Sequence, residues 1–87
     1  MSVSQWDKIL RRVLSGWADQ NVRFADLVGL LVRLGFREHI EGSHHVYRRS
    51  GVREIIDLQP RSDGKAKPYQ VKQVRAILRK YGLTQVP

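Results

Sequence analysis

The sequence predicts a small α+β domain. Three observations carry that reading: apolar residues at helical spacing up to Leu34, a change to period-two patterning bounded by turn residues, and a return to helical spacing from Pro68. Length sets the scale. With 87 residues the chain can bury roughly 60% of its unfolded surface in one core, and it is too short for a barrel or a doubly wound sheet. Residues 1–87 are therefore read as a single domain, with 1–21 as an N-terminal helical addition and 22–83 as its core.

Trp6, Ile9, Leu10, Val13, Leu14 and Trp17 follow the i, i+3, i+4, i+7 rule and place an amphipathic helix at 5–15. Ser4 is its N-cap, Asp7 completes a capping box in which Asp replaces Glu, and Gly16 supplies the stop. A second helix fits 24–34, with Phe24, Leu27, Val28, Leu31 and Leu34 on one stripe and Gly35 at its end. Gly29, inside that helix, permits a neighbour to pack closely. Three short extended segments follow at 36–41, 44–49 and 53–59, separated by Gly42-Ser43 and Ser50-Gly51, which is the pattern of a meander. Pro60 cannot donate to a ladder and Ser62-Asp63-Gly64 is a turn signal, so the third strand ends there. Pro68 suits the first turn of a last helix over 68–81, whose apolar face is Val71, Val74, Ile77, Leu78 and Tyr81 before Gly82 caps it. Lys72, Arg75 and Arg79 share its opposite side, where such a stripe ordinarily means a solvated face. The order is α-α-β-β-β-α: a three-stranded antiparallel sheet with one face under helices and the other face, or a rim, wet.

Sixteen Lys and Arg face eight Asp and Glu, a formal charge of +8 that favours a polyanionic partner through release of phosphate counterions. Residues 1–41 carry six basic and five acidic side chains, whereas residues 42–87 carry ten and three. The anion-binding surface is expected in the C-terminal half; the plain alternative is a charge that only confers solubility. No cysteine is present, which removes disulfide frameworks and thiol catalysis. The longest apolar run, 27–32, is far shorter than the roughly 20 residues a spanning helix needs. Asp7, Lys8, Arg11 and Arg12 stand where a secretory signal needs its apolar core, so a cytoplasmic location is expected.

Gly42-Ser43-His44-His45 sits where a turn feeds the second strand. Imidazole titrates at about 6.5 when unperturbed, so it exchanges protons at neutral pH without extensive tuning. That suits RNA cleavage, which needs a base for the ribose 2′-hydroxyl, cations for charge building on the phosphate, and a proton for the departing 5′-oxygen. Strand alternation sends His44, Val46 and Arg48 to one face and His45, Tyr47 and Arg49 to the other, so only one histidine faces a substrate directly. The plain alternative is a pair of ordinary surface or half-buried histidines. A metal site from His39, His44 and His45 is disfavoured because the adjacent pair diverges and no Cys is available. Asp57 and Glu54 are carboxylates that can assist, but nothing in the sequence sets them beside the histidines. Ser43 lacks any nucleophile-elbow motif.

Gly64-Lys65-Ala66-Lys67-Pro68-Tyr69 puts two ammonium groups immediately before a helix N-terminus, a phosphate seat by charge and by dipole. Tyr69 either stacks on a base or completes the core.

These residues resemble the HicA toxins of bacterial toxin–antitoxin systems. The likeness runs over about 22–83 and rests on Leu34-Gly35-Phe36, on Gly42-Ser43-His44-His45-Val46-Tyr47-Arg48, and on the stretch from Gly64 through Lys72 to Gln73. It implies a fold like that of double-stranded-RNA-binding domains, with the first helix as an extra element. It further implies metal-independent endoribonuclease action on mRNA (an mRNA interferase), blocked by a HicB-type antitoxin. DNA is met only through the antitoxin complex, and neither a cofactor nor a membrane is involved. The resemblance makes His44 the catalytic histidine, with Gly42 and Ser43 shaping its loop and His45 secondary. Ser43, Arg48, Lys65, Lys67, Tyr69 and Lys72 are the candidate RNA contacts. Many relatives place a histidine after the third strand, where this chain has Leu58-Gln59-Pro60-Arg61. Help for the leaving group therefore falls to Arg48, Lys65, Lys67 or an ordered water. The alternative function is a noncatalytic RNA-binding module that uses the same basic surface. A third is a toxin-derived protein that now only binds an antitoxin or, as a complex, operator DNA.

Overall fold

In the computed structural model, which describes residues 3–87, Ser4 caps helix α1 (Gln5–Ser15) through a reciprocal box. The Ser4 hydroxyl accepts from the Asp7 N–H at 3.1 Å, and the Asp7 carboxylate accepts from the Ser4 N–H at 3.1 Å. Gly16 closes the helix in the left-handed region at φ 75°, as a C-terminal glycine stop requires. A single 3-10 turn at Asp19–Asn21, which no sequence signal announced, leads into α2 (Phe24–Arg33). The strands β1 (Arg37–Glu41), β2 (His44–Arg48) and β3 (Ile56–Leu58) follow, and then α3 (Pro68–Lys80). Met1 and Ser2, the start of the expected N-terminal addition, lie outside the described residues.

The expected order and the antiparallel meander β1-β2-β3 are both observed. Glu41 pairs with His44 across a two-residue loop, and Gly42 at φ 60° takes its first position, the arrangement of a type II′ hairpin turn. Most elements agree with the sequence to within one residue at each end. The third strand does not: it begins at Ile56 rather than at residue 53. The end of α3 claims the preceding residues, because the Arg53 N–H donates to the Tyr81 hydroxyl at 3.2 Å and the Glu54 carboxylate takes Lys80 at 2.8 Å and the Tyr81 hydroxyl.

Register sorts the side chains of the sheet. Val46 faces Asp57 and His45 faces Leu58. Alternation then puts His44, Val46, Arg48 and Asp57 on the open face with Arg37, His39 and Glu41. Tyr47, Ile56 and Leu58, on the other face, are fully buried under the helices. There they meet Leu27, Leu30 and Leu31 of α2, Val71, Val74 and Leu78 of α3, and Leu10 and Val13 of α1 in one cluster.

The α1–α2 contact explains Gly29. A Cβ added there would lie 2.2 Å from the Trp6 ring, so the indole rests directly on the α2 backbone, with Arg33 stacked at 5.5 Å from its centroid. Trp17 corrects the first-helix reading. Beyond Gly16 the helical stripe no longer applies, and the indole is 93% exposed. The solvated-face reading of α3 holds for the exposed Lys72 and Arg79 and is corrected for Arg75. The half-buried Arg75 donates to both Asp19 carboxylate oxygens, at 2.8 and 2.9 Å, and to the Val13 carbonyl at 3.0 Å. Arg79 donates to the Leu14 carbonyl at 2.7 Å, so the two arginines satisfy the open C-terminal end of α1. Their carbonyl targets and Asp19 are remote in sequence and appear only once the helices pack. Lys72 alone of the three stays free of such a contact among the described residues. No helix of the described residues is long and apolar enough to cross a membrane.

Candidate active site

The hairpin turn delivers His44 as the first residue of β2 with its side chain half in solvent. Its Nδ1 lies 3.1 Å from both carboxylate oxygens of Asp57, one strand away on the same face. A carboxylate only accepts, so Nδ1 carries a proton and donates, and in the neutral imidazole the lone pair is then on Nε2. The Gln59 side-chain amide donates toward that lone pair at 3.2 Å and lies 3.4 Å from the Ser43 hydroxyl. Its carbonyl end accepts from the Lys67 ammonium at 3.3 Å. One amide therefore joins the histidine, the turn serine and the lysine before α3.

Gln70 holds this arrangement from below. It is buried, donates to the Asp57 carbonyl at 3.4 Å and accepts from the Gln59 N–H at 3.2 Å. The first turn of α3 is thereby stitched to Asp57 of β3 and to Gln59 just beyond it, the two residues that contact His44. Around them opens a shallow pocket of about 300 Å³ lined by His44, Ile55, Asp57, Gln59, Tyr69 and Gln73. Tyr69 is 65% exposed at its edge, which decides between the two readings of that residue in favour of a solvent-facing ring. A crevice of about 350 Å³ between α1 and α2, lined by residues such as Lys8, Arg12 and Asp26, holds no histidine or nucleophile.

Of the residues the sequence singled out, Gly42, Ser43, His44, Lys67 and Tyr69 converge here. Three of the candidate RNA contacts do not. Arg48 shares the open face but lies four residues along β2, about 13 Å away at the rise of a strand. Lys65 turns aside and donates to the Asn21 side-chain amide oxygen at 3.0 Å. Lys72 is exposed one turn beyond Tyr69 on α3. His45 packs edge-on against Phe24, ring centroids 5.0 Å apart, with its buried Nδ1 3.6 Å from Glu38 and without a hydrogen bond among the described residues. His39 engages Glu41 at 3.0 Å. The three histidines thus address three different carboxylates, and no group of three His, Asp or Glu among the described residues gathers around one point. Under the site, burial and the hydrogen bond to Glu38 push the Tyr47 phenol up, so it remains a proton donor in the floor of the sheet.

Sequence reasoning missed Gln59 and Gln70, and it named Asp57 without placing it. The available signal was period-two spacing of Asp57 and Gln59, which puts both on one face once β3 is anchored. The anchor is the pairing with β2, and that is not readable from composition.

The model of the family described as the HicA toxin of bacterial toxin–antitoxin systems matches residues 24–84, well over half of the chain. The chain belongs to the HicA toxin family. It is accordingly the toxin of a toxin–antitoxin pair, with an antitoxin as its partner. No curated protein and no solved structure gives a match. Every residue of the His44 cluster falls inside the HicA match, whereas α1 precedes it.

Proposed function

We propose that this HicA-family toxin is an endoribonuclease that cleaves mRNA in the cytoplasm without a metal, with His44 as general base, and that a HicB-type antitoxin restrains it. The observation that carries the proposal is the Asp57–His44 pair, which fixes the tautomer and leaves Nε2 as a proton acceptor at an open pocket beside Lys67 and Tyr69. A carboxylate behind an imidazole orients the ring and offsets the charge it gains on taking a proton. Nε2 removes the 2′-hydroxyl proton, the 2′-oxygen attacks the adjacent phosphorus, and the P–O5′ bond breaks. Products are a 2′,3′-cyclic phosphate and a 5′-hydroxyl, because the nucleophile belongs to the RNA. Lys67, bonded to Gln59 and standing at the N-terminus of α3, supplies donors to the phosphate oxygens in this reading. Tyr69 offers a base a stacking face, and Gly42 and Ser43 hold the turn that aims His44. Arg48, Lys65 and Lys72 lie farther out and grip flanking backbone.

The test is cleavage of labelled RNA by the wild type beside His44→Ala. Scission by the wild type with the stated ends, unaffected by EDTA and lost in the variant, is expected. Equal scission by both proteins sinks the assignment of His44, and salt-sensitive binding without scission returns the protein to a noncatalytic RNA-binding module.

A further inference from the structure

The geometry points to Lys67 as the group that serves the departing 5′-oxygen, and to Gln59 as the positioning residue that sets its distance from His44. The inference rests on the RNA-cleavage reading above and assigns the half of the reaction that the reading leaves open.

Its basis is the single amide between the two groups. Gln59 donates to His44 Nε2 at 3.2 Å and accepts from Lys67 Nζ at 3.3 Å. An amide measures about 2 Å from nitrogen to oxygen, so the lone pair of His44 and the ammonium of Lys67 stand at most about 9 Å apart. In-line cleavage asks for a proton acceptor and a proton donor at opposite ends of an O–P–O axis, each one hydrogen bond of about 3 Å from its oxygen. That span is of the same order. The amide presents a donor to the base at one end and an acceptor to the cation at the other.

The polarity of the amide also matters. The ammonium of Lys67 takes the oxygen end of the Gln59 side chain and His44 Nε2 the nitrogen end, while the Gln59 backbone N–H is held by the buried Gln70. Of the three cations the sequence offered for this step, only Lys67 touches the cluster. Arg48 is about 13 Å along the strand, and Lys65 is engaged with Asn21.

The step balances. The 2′-hydroxyl proton passes to His44 Nε2, the 2′-O–P bond forms, the P–O5′ bond breaks, and the 5′-oxygen takes a proton from the Lys67 ammonium. Proton transfer from imidazolium to the neutral amine through solvent restores both groups.

The experiment compares an RNA with an ordinary linkage at one cleavage position and the same RNA carrying sulfur in place of the bridging 5′-oxygen. A thiolate leaves without a proton, so the donor becomes dispensable. Lys67→Ala is expected to lose about 10²-fold in kcat on the oxygen linkage and to regain most of it on the sulfur linkage. Gln59→Ala, which keeps the backbone bond to Gln70, is expected to lose at least tenfold in kcat with little change in KM and to be partly restored by sulfur. His44→Ala stays inactive on both. Affinity for RNA with a 2′-deoxy sugar at the cleavage position, measured by anisotropy, separates lost binding from lost chemistry. If Lys67→Ala is equally impaired on both linkages, or unimpaired, the assignment of Lys67 falls while RNA cleavage stands. If Gln59→Ala cleaves the oxygen linkage like the wild type, its positioning role falls. A wild type inactive on both linkages overturns the cleavage reading together with this one.

Discussion

Gly29→Ala tests whether α1 is packed as described. In an exposed helix the change stabilises by about 1 kcal/mol, because alanine restricts the unfolded chain and favours helical geometry. Here the added methyl would sit 2.2 Å from the tip of the Trp6 ring, well inside contact distance. Either the helices part or the indole leaves its seat. Overpacking costs about 1–3 kcal/mol, and ejecting a large, partly buried apolar side chain forfeits a similar amount. The steric loss exceeds the propensity gain, and a net destabilisation of about 1 kcal/mol is expected. For a domain of this size that lowers Tm by about 4–8 °C. Thermal unfolding followed by circular dichroism reads it directly. The same substitution in a Trp6→Ala background meets no ring, so its sign should reverse and the chain should gain up to about 1 kcal/mol. The coupling between the two sites is then about 2 kcal/mol. A Gly29→Ala protein more stable than the wild type, or additive behaviour in the cycle, would show that Trp6 does not rest on α2.

Asp57→Asn keeps the size of the side chain but can offer its amide N–H to Nδ1 and reverse the tautomer of His44. RNA cleavage at neutral pH should fall by about 10²-fold or more while RNA affinity is retained, and an unchanged rate would remove Asp57 from the mechanism. Arg75→Met should cost about 2 kcal/mol in urea unfolding, since it strips charge-assisted bonds from Asp19 and the end of α1. Lys72→Met, on the same helix, should stay within about 0.5 kcal/mol, and equal effects would restore the solvated-face reading of both. The bonds from Lys80 and Tyr81 hold the Glu54 carboxyl at about 2, down from 4.5. A depressed carboxylate contributes stability that is complete above pH 4.5 and is lost as pH falls toward 2. Glu54→Gln should flatten the acid limb of the stability curve in that window, and an unaltered limb would exclude the pair as its source.

The local code of the chain settled most of its elements. Ser4 and Asp7 cap α1, Gly16 and Gly35 follow the ends of α1 and α2, Gly42-Ser43 makes the hairpin turn, and Pro68 opens α3. Each acts within a few residues, through backbone geometry or a short-range hydrogen bond, and so is visible in a linear string. The same holds for the turn histidine and for Lys67, which sits immediately before a helix.

Packing decided the rest. Which face of β3 meets β2 sets Asp57 beside His44, and that register depends on burying Ile56 and Leu58 under helices drawn from both ends of the chain. Gln70 shows the limit most plainly. Its position among the apolar residues of α3 gives no hint that its amide is buried and bonded to the backbone on either side of Leu58. Likewise Arg75 and Lys72 read alike along the helix, yet only Arg75 finds the end of α1 and Asp19 within reach. Propensity and pattern determine what each segment becomes; the partners of a polar side chain are fixed only when distant segments share a surface, because a hydrogen bond is decided over about 3 Å of space and not by separation along the chain.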